Sequence, residues 1–140
     1  MHRIKVFNAY SKYKILIDET KLVTRHVLKS EGNIRSEINI VYINDKEMIE
    51  LNTKYLNHKR TTDVISFYLG DEHKDKIEGE VYINLDQARY QADEYGVPFK
   101  NEVYRLVIHG VLHLLGYSDK SGKDKMIMAN LENKYLEILN

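Results

Sequence analysis

Two histidines, His109 and His113, stand four residues apart in a chain of 140 residues, and Gly116 and Asp119 follow at intervals of three. Residues four apart on a helix project from one face, so two imidazoles at this spacing can bind one metal ion. A glycine just past the end of such a helix can take the left-handed conformation and reverse the chain. Asp119 then falls where the returning chain offers a third donor. Three protein ligands with an open fourth position is the arrangement of catalytic rather than structural zinc sites. With 6 histidines in the chain, chance gives roughly 0.2 such pairs, and requiring the glycine and a third donor lowers this to about 0.002, so the full pattern is the signal. The competing reading makes both histidines core residues and Asp119 a cap for the next helix. It leaves two imidazoles on an apolar helix in need of polar partners.

Composition narrows the chemistry further. Cysteine is absent, which excludes a disulfide scaffold, a thiol nucleophile, Cys-ligated zinc and iron–sulfur clusters. Any metal must be held by His, Asp or Glu. Basic and acidic residues balance at 21 each, so there is no global basic footprint of a duplex-binding protein, though a local basic groove stays open. Hydrophobic residues at 43% and charged residues at 30% describe a globular mixture with enough apolar side chains for a core. We find no apolar signal core and no run of membrane-spanning length, and expect a cytoplasmic protein with no membrane partner.

The elements that must position the histidines follow from periodicity. Ile4–Phe7 reads as a strand, and Asp18 is placed to cap a helix through Ser30 with Leu22, Val23, His26 and Val27 on one face. Glu37–Ile43 alternates as a strand, and Asn44 with Glu47 forms a capping box that opens a helix to about Tyr55. Val64–Leu69 and Gly79–Leu85 are strand-like, separated by a charged loop, Asp71–Glu78, whose His73, Lys74 and Lys76 are expected in solvent. Asp86–Tyr95 is a short helix ended by Gly96 and Pro98. Phe99–Leu115 is the most apolar helix, and Lys123–Leu139 is a final amphipathic one, with Ile127, Leu131, Tyr135 and Ile138 at helical spacing. We expect a single α+β domain over residues 1–140, with a small mixed four-stranded sheet, about five helices, and the two C-terminal helices packed on one face. The basic residues Lys54, His58, Lys59 and Arg60 precede the third strand. Lys59 and Arg60 are candidates for phosphate contact beside a metal, and a solvated loop is the alternative. Ser66 either faces the site or packs within its strand.

The histidine pattern overlaps the metzincin zinc-protease signature, whose general-base glutamate is replaced here by Gly110. A glycine cannot take a proton from a metal-bound water, which opposes ordinary metalloprotease chemistry. Three stretches occur in order along the chain: Thr62-Asp63-Val64-Ile65-Ser66-Phe67, Gly79-Glu80-Val81-Tyr82-Ile83 and His109-Gly110-Val111-Leu112-His113-Leu114-Leu115-Gly116-Tyr117. They resemble the T-[DN]-V-L-S-F, G-D-I-x-I and H-G-x-L-H-L-x-G-Y runs of the YbeY family of bacterial endoribonucleases and rRNA maturation factors. The resemblance covers nearly the whole chain. It implies an α+β fold, one divalent metal ion, zinc foremost, on His109, His113 and Asp119, and cleavage of single-stranded RNA in maturing the small-subunit rRNA 3′ end. It also implies the ribosome and ribosomal proteins as partners. Three departures stand out. Asp119 occupies the position of the family's third histidine ligand. Tyr55-Leu56 stands where the family has a Tyr-Arg pair, leaving Arg60 as the nearby substitute. Tyr68 follows Phe67 where the family has a proline. The rival readings are a metal-dependent hydrolase of another substrate and a ribosome-assembly binding protein with a structural metal. The residues name no catalytic base.

Overall fold

The computed structural model describes residues 2–32, 35–70 and 76–140. Strands β1 (His2–Asn8), β2 (Arg35–Ile43), β3 (Val64–Tyr68) and β4 (Lys76–Asn84) form one sheet in the order β1-β2-β4-β3. β1, β2 and β4 run parallel, and β3 pairs antiparallel to β4 with Ser66 opposite Val81. The helices are α1 (Ile17–Ser30), α2 (Asp45–Leu56), α3 (Leu85–Tyr95), α4 (Phe99–Leu114) and α5 (Gly122–Leu136), with a last 3₁₀ turn at Glu137–Leu139. The fold is thus α+β, with a mixed four-stranded sheet and five α-helices among the described residues.

Alternation along the strands sorts the two sheet faces. Ile4 and Val6, Ile38, Ile40 and Tyr42, and Val81 and Ile83 point to one face, where they meet Val107, Ile108, Val111 and Leu112 of α4. That helix is buried along nearly its whole length between the sheet and α1, α3 and α5. It lies directly on β3 and β4, while α5 packs across α4 and α1, one layer further out. The opposite face carries a smaller cluster, in which Met48 of α2 packs on Ile43 and Ile65.

Several local expectations shift. α1 begins at Ile17 after Leu16, with no side-chain cap, so Asp18 sits in the first turn rather than capping it. Its buried face is Thr20, Val23, Thr24, Val27 and Leu28, and Leu22 is exposed. The threonines bury because their hydroxyls bond the carbonyls of Leu16 and Thr20 four residues back, and Thr20 also bonds Tyr42. β4 begins at Lys76, and Leu85 belongs to α3, because the Asn84 side chain accepts the Gln87 N–H and starts the helix there. In α5 the buried residues are Met128, Glu132 and Tyr135, while Ile127 is exposed. His73 and Lys74 of the expected charged loop lie outside the described residues.

Candidate metal centre

α4 ends in a Schellman motif. The Gly116 N–H bonds the His113 carbonyl, the Tyr117 N–H bonds the Leu112 carbonyl, and Gly116 holds φ at 102°. This turn sends the chain back across the face that carries the histidines. Tyr117 then anchors the returning segment, its hydroxyl donating to Glu31 at the end of α1 at 2.5 Å. Tyr135 donates to the other oxygen of the same carboxylate. Asp119 arrives opposite the two imidazoles. It does not cap α5, because that task falls to Ser121, which accepts the Asp124 N–H.

The Nε2 atoms of His109 and His113 each lie 3.4 Å from Asp119 Oδ2. All three donor atoms lie within 4.8 Å of one another. Zinc bonds to nitrogen and oxygen are about 2.0–2.1 Å long, which gives a tetrahedron edges of about 3.3–3.4 Å, so the donor set fits such an ion. The three groups line one wall of an open pocket whose other wall is Thr62, Asp63 and Ser66. The site is therefore part-buried and open to a substrate.

The fit of helix to sheet explains Gly110. A Cβ there would lie 2.4 Å from Val81 Cγ1 and 3.1 Å from the Ser66 hydroxyl. Gly79 on β4 plays the same part from the other side, since its Cβ would meet Leu114 at 2.6 Å and the Phe67 carbonyl at 2.9 Å. The two glycines let α4 sit close against the sheet, and Ser66 donates to the Gly110 carbonyl at 2.9 Å. Ser66 thus faces the site side of its strand.

Sequence reasoning missed what stands behind the histidines. Glu132 of α5, 5% exposed, accepts the His109 Nδ1–H at 2.6 Å. Its other oxygen accepts Arg105 Nη1 at 3.1 Å, and Arg105 is forked onto Glu102. Burial alone would push the His109 imidazole down. The hydrogen bond and charge of Glu132, with the charges of Asp119 and Asp63, outweigh burial and hold it above its ordinary value. The sequence carried no signal of this arrangement, because the apolar stripe of the last helix runs through Ile127, Leu131 and Tyr135 beside Glu132.

The basic segment lies nearby. Arg60 and Leu56 border a second depression that shares Thr62 and Val64 with the histidine pocket. Lys59 is exposed and lines neither depression. The Thr61–Asp63 segment, which lines both depressions, is fastened by Asn84. Its side-chain amide donates to Asp45, Thr61 and the Thr62 carbonyl, and its backbone N–H donates to the Asp63 carbonyl.

The family model described as endoribonuclease YbeY matches residues 5–140. The endoribonuclease YbeY of Flavobacterium psychrophilum is 43% identical over 116 residues, covering 81% of this chain and 80% of its own. That of Chloroherpeton thalassium is 42% identical over 81% of this chain and 79% of its own. The solution structure of a Thermotoga maritima protein superimposes with a TM-score of 0.68 at 29% identity, covering 96% of this chain and 87% of that one.

Proposed function

The chain belongs to the endoribonuclease YbeY family, and from that premise we propose that it is a zinc-dependent, single-strand-specific endoribonuclease that matures the small-subunit rRNA 3′ end in ribosome biogenesis. The observation that carries this reading is the His109, His113 and Asp119 donor set on the wall of an open pocket. The reading takes residues 1–140 as one cytoplasmic domain that meets rRNA on the ribosome and among its proteins. Among the described residues no helix is long and apolar enough to cross a membrane.

A divalent ion on the two Nε2 atoms and Asp119 supplies Lewis acidity toward a scissile phosphate and toward water. This chain's own groups do the rest. The Ser66 hydroxyl, its proton given to Gly110, presents lone pairs toward the pocket and can accept from a ribose hydroxyl. Asp63 is a carboxylate on the pocket wall able to take a proton. Arg60 offers a planar guanidinium to phosphate from the adjoining depression, with Lys59 beside it. With Asp119 as the third donor, the centre would carry a lower net charge than with a third imidazole and would be a weaker Lewis acid.

A peptidase needs a general base at position 110, and no side chain enters there without displacing Val81 or Ser66. The ribosome-assembly binding reading draws on Asp119 and Leu56. One experiment separates it from cleavage. Wild type and His113→Ala are stripped of metal, reloaded with zinc and incubated with single-stranded RNA. We expect cleavage that requires both zinc and His113, with the variant reduced at least 100-fold. Stoichiometric zinc binding through His113 without cleavage would replace the nuclease reading by the binding one. Wild-type cleavage by the metal-free protein would remove the metal from the mechanism.

A further inference from the structure

We propose that Glu132 and Arg105 are positioning residues that fix the His109 imidazole and set how tightly the centre holds its metal. This rests on the metal reading above.

Three observations carry it. The first is the tautomer. A carboxylate can only accept, so the 2.6 Å contact with Glu132 Oε2 places a proton on His109 Nδ1. That leaves Nε2, the atom 3.4 Å from Asp119, as the nitrogen that would ligate a metal. His109 is thereby held in the one orientation the centre needs, which is how a carboxylate behind a ligating histidine acts.

The second is rigidity. Glu132 cannot turn aside, because its Oε1 accepts from Arg105 Nη1 at 3.1 Å. Arg105 is itself fixed by a bidentate grip on Glu102, at 2.9 Å from Nε and 2.5 Å from Nη2. Gln91 of α3 closes the chain by donating to Glu102 Oε2 at 2.7 Å. The imidazole orientation is therefore held by three helices, α3, α4 and α5.

The third is charge. Glu102 and Glu132 are 2% and 5% exposed, and the relay sets the single guanidinium of Arg105 between them. The carboxylates outnumber the guanidinium, and the one aimed at His109 has that imidazole as its other partner. An uncompensated buried charge is strongly destabilising. A cation at the His109–His113–Asp119 centre compensates it through the imidazole.

The test is zinc affinity by chelator competition, on wild type, Glu132→Gln and Glu132→Ala, with melting of the metal-stripped proteins recorded in parallel. Glu132→Gln keeps the shape and one acceptor oxygen but loses the charge, and should bind zinc about 10-fold more weakly. Glu132→Ala loses both and should fall toward about 100-fold. The visible spectrum of the cobalt-loaded protein should shift in both. A purely structural role lowers the melting temperature and leaves zinc affinity and the cobalt spectrum unchanged, and that result would overturn the proposal. Long-range proton–nitrogen NMR of the zinc-loaded wild type decides independently of whether the variants fold. The proton should be on Nδ1 of His109 and the metal on Nε2, and the reverse assignment would also overturn it. Failure of wild type to bind zinc would instead sink the metal reading itself.

Discussion

Gly110 is a residue whose role is to be absent. Glycine in a helix interior costs about 0.5–1 kcal/mol relative to alanine, so its place in the middle of α4 needs a reason. The reason is Val81, whose Cγ1 would lie 2.4 Å from an added Cβ and which is itself fully buried. Gly110→Ala gains helix propensity but overpacks the helix–sheet contact, and overpacking costs about 1–3 kcal/mol. We expect a net loss of about 1–2 kcal/mol in urea unfolding. Adding Val81→Ala should return part of it, and a stabilised single variant would show that the helix can slide off the sheet. The same residue marks the limit of pattern reading. The sequence shows that the metzincin glutamate is missing, and only the contact with Val81 shows that no side chain belongs there.

At the scale of elements, the junction of β4 and α3 does more than turn the chain. Asn84 is fully buried, caps α3 through its carbonyl oxygen, and ties down the Thr61–Asp63 segment through its amide and backbone N–H. Thr61 and Asn84 converge on one Asp45 oxygen at the start of α2. The wall of the histidine pocket is thus hung from the end of β4 that lies directly across from it. Asn84→Ala removes the cap and leaves the Gln87 N–H and the Thr62 carbonyl short of a partner, a loss of about 2–4 kcal/mol. Amide exchange should then speed up selectively in residues 60–64. Uniform destabilisation across the chain would show that the segment is held by something else.

At the scale of the whole molecule, the charges cancel at 21 against 21. Affinity for a polyanion must therefore come from a local surface, and the basic segment beside the pocket is where the fold puts Lys59 and Arg60. Each phosphate contact on a single strand contributes about 0.7 to the slope of log affinity against log salt. Lys59→Ala with Arg60→Ala should make that slope shallower by about 1.4 and weaken binding alike across RNA sequences, with zinc content unchanged. An unchanged slope would return the segment to the status of a solvated loop.

The sequence by itself determined the local and periodic features. The H-x3-H pair, the glycine that ends the helix, the strand alternation of Ile38, Ile40 and Tyr42, and the Asn44 cap were all legible, because each depends on neighbours within a turn or a pleat. Whether Asp119 swings back to the histidines depends on Tyr117 reaching Glu31, which is 86 residues away in sequence. The relay behind His109 joins Gln91, Glu102, Arg105 and Glu132 from three helices. In one dimension Glu132 is only a charge on a helix, beside an apolar stripe of which Tyr135 is buried, Leu131 and Ile138 pack against the core and Ile127 is exposed. Tertiary packing decided these points. A buried carboxylate is tolerated only where partners meet it, and those of Glu132 stand 23 and 27 residues away in the sequence.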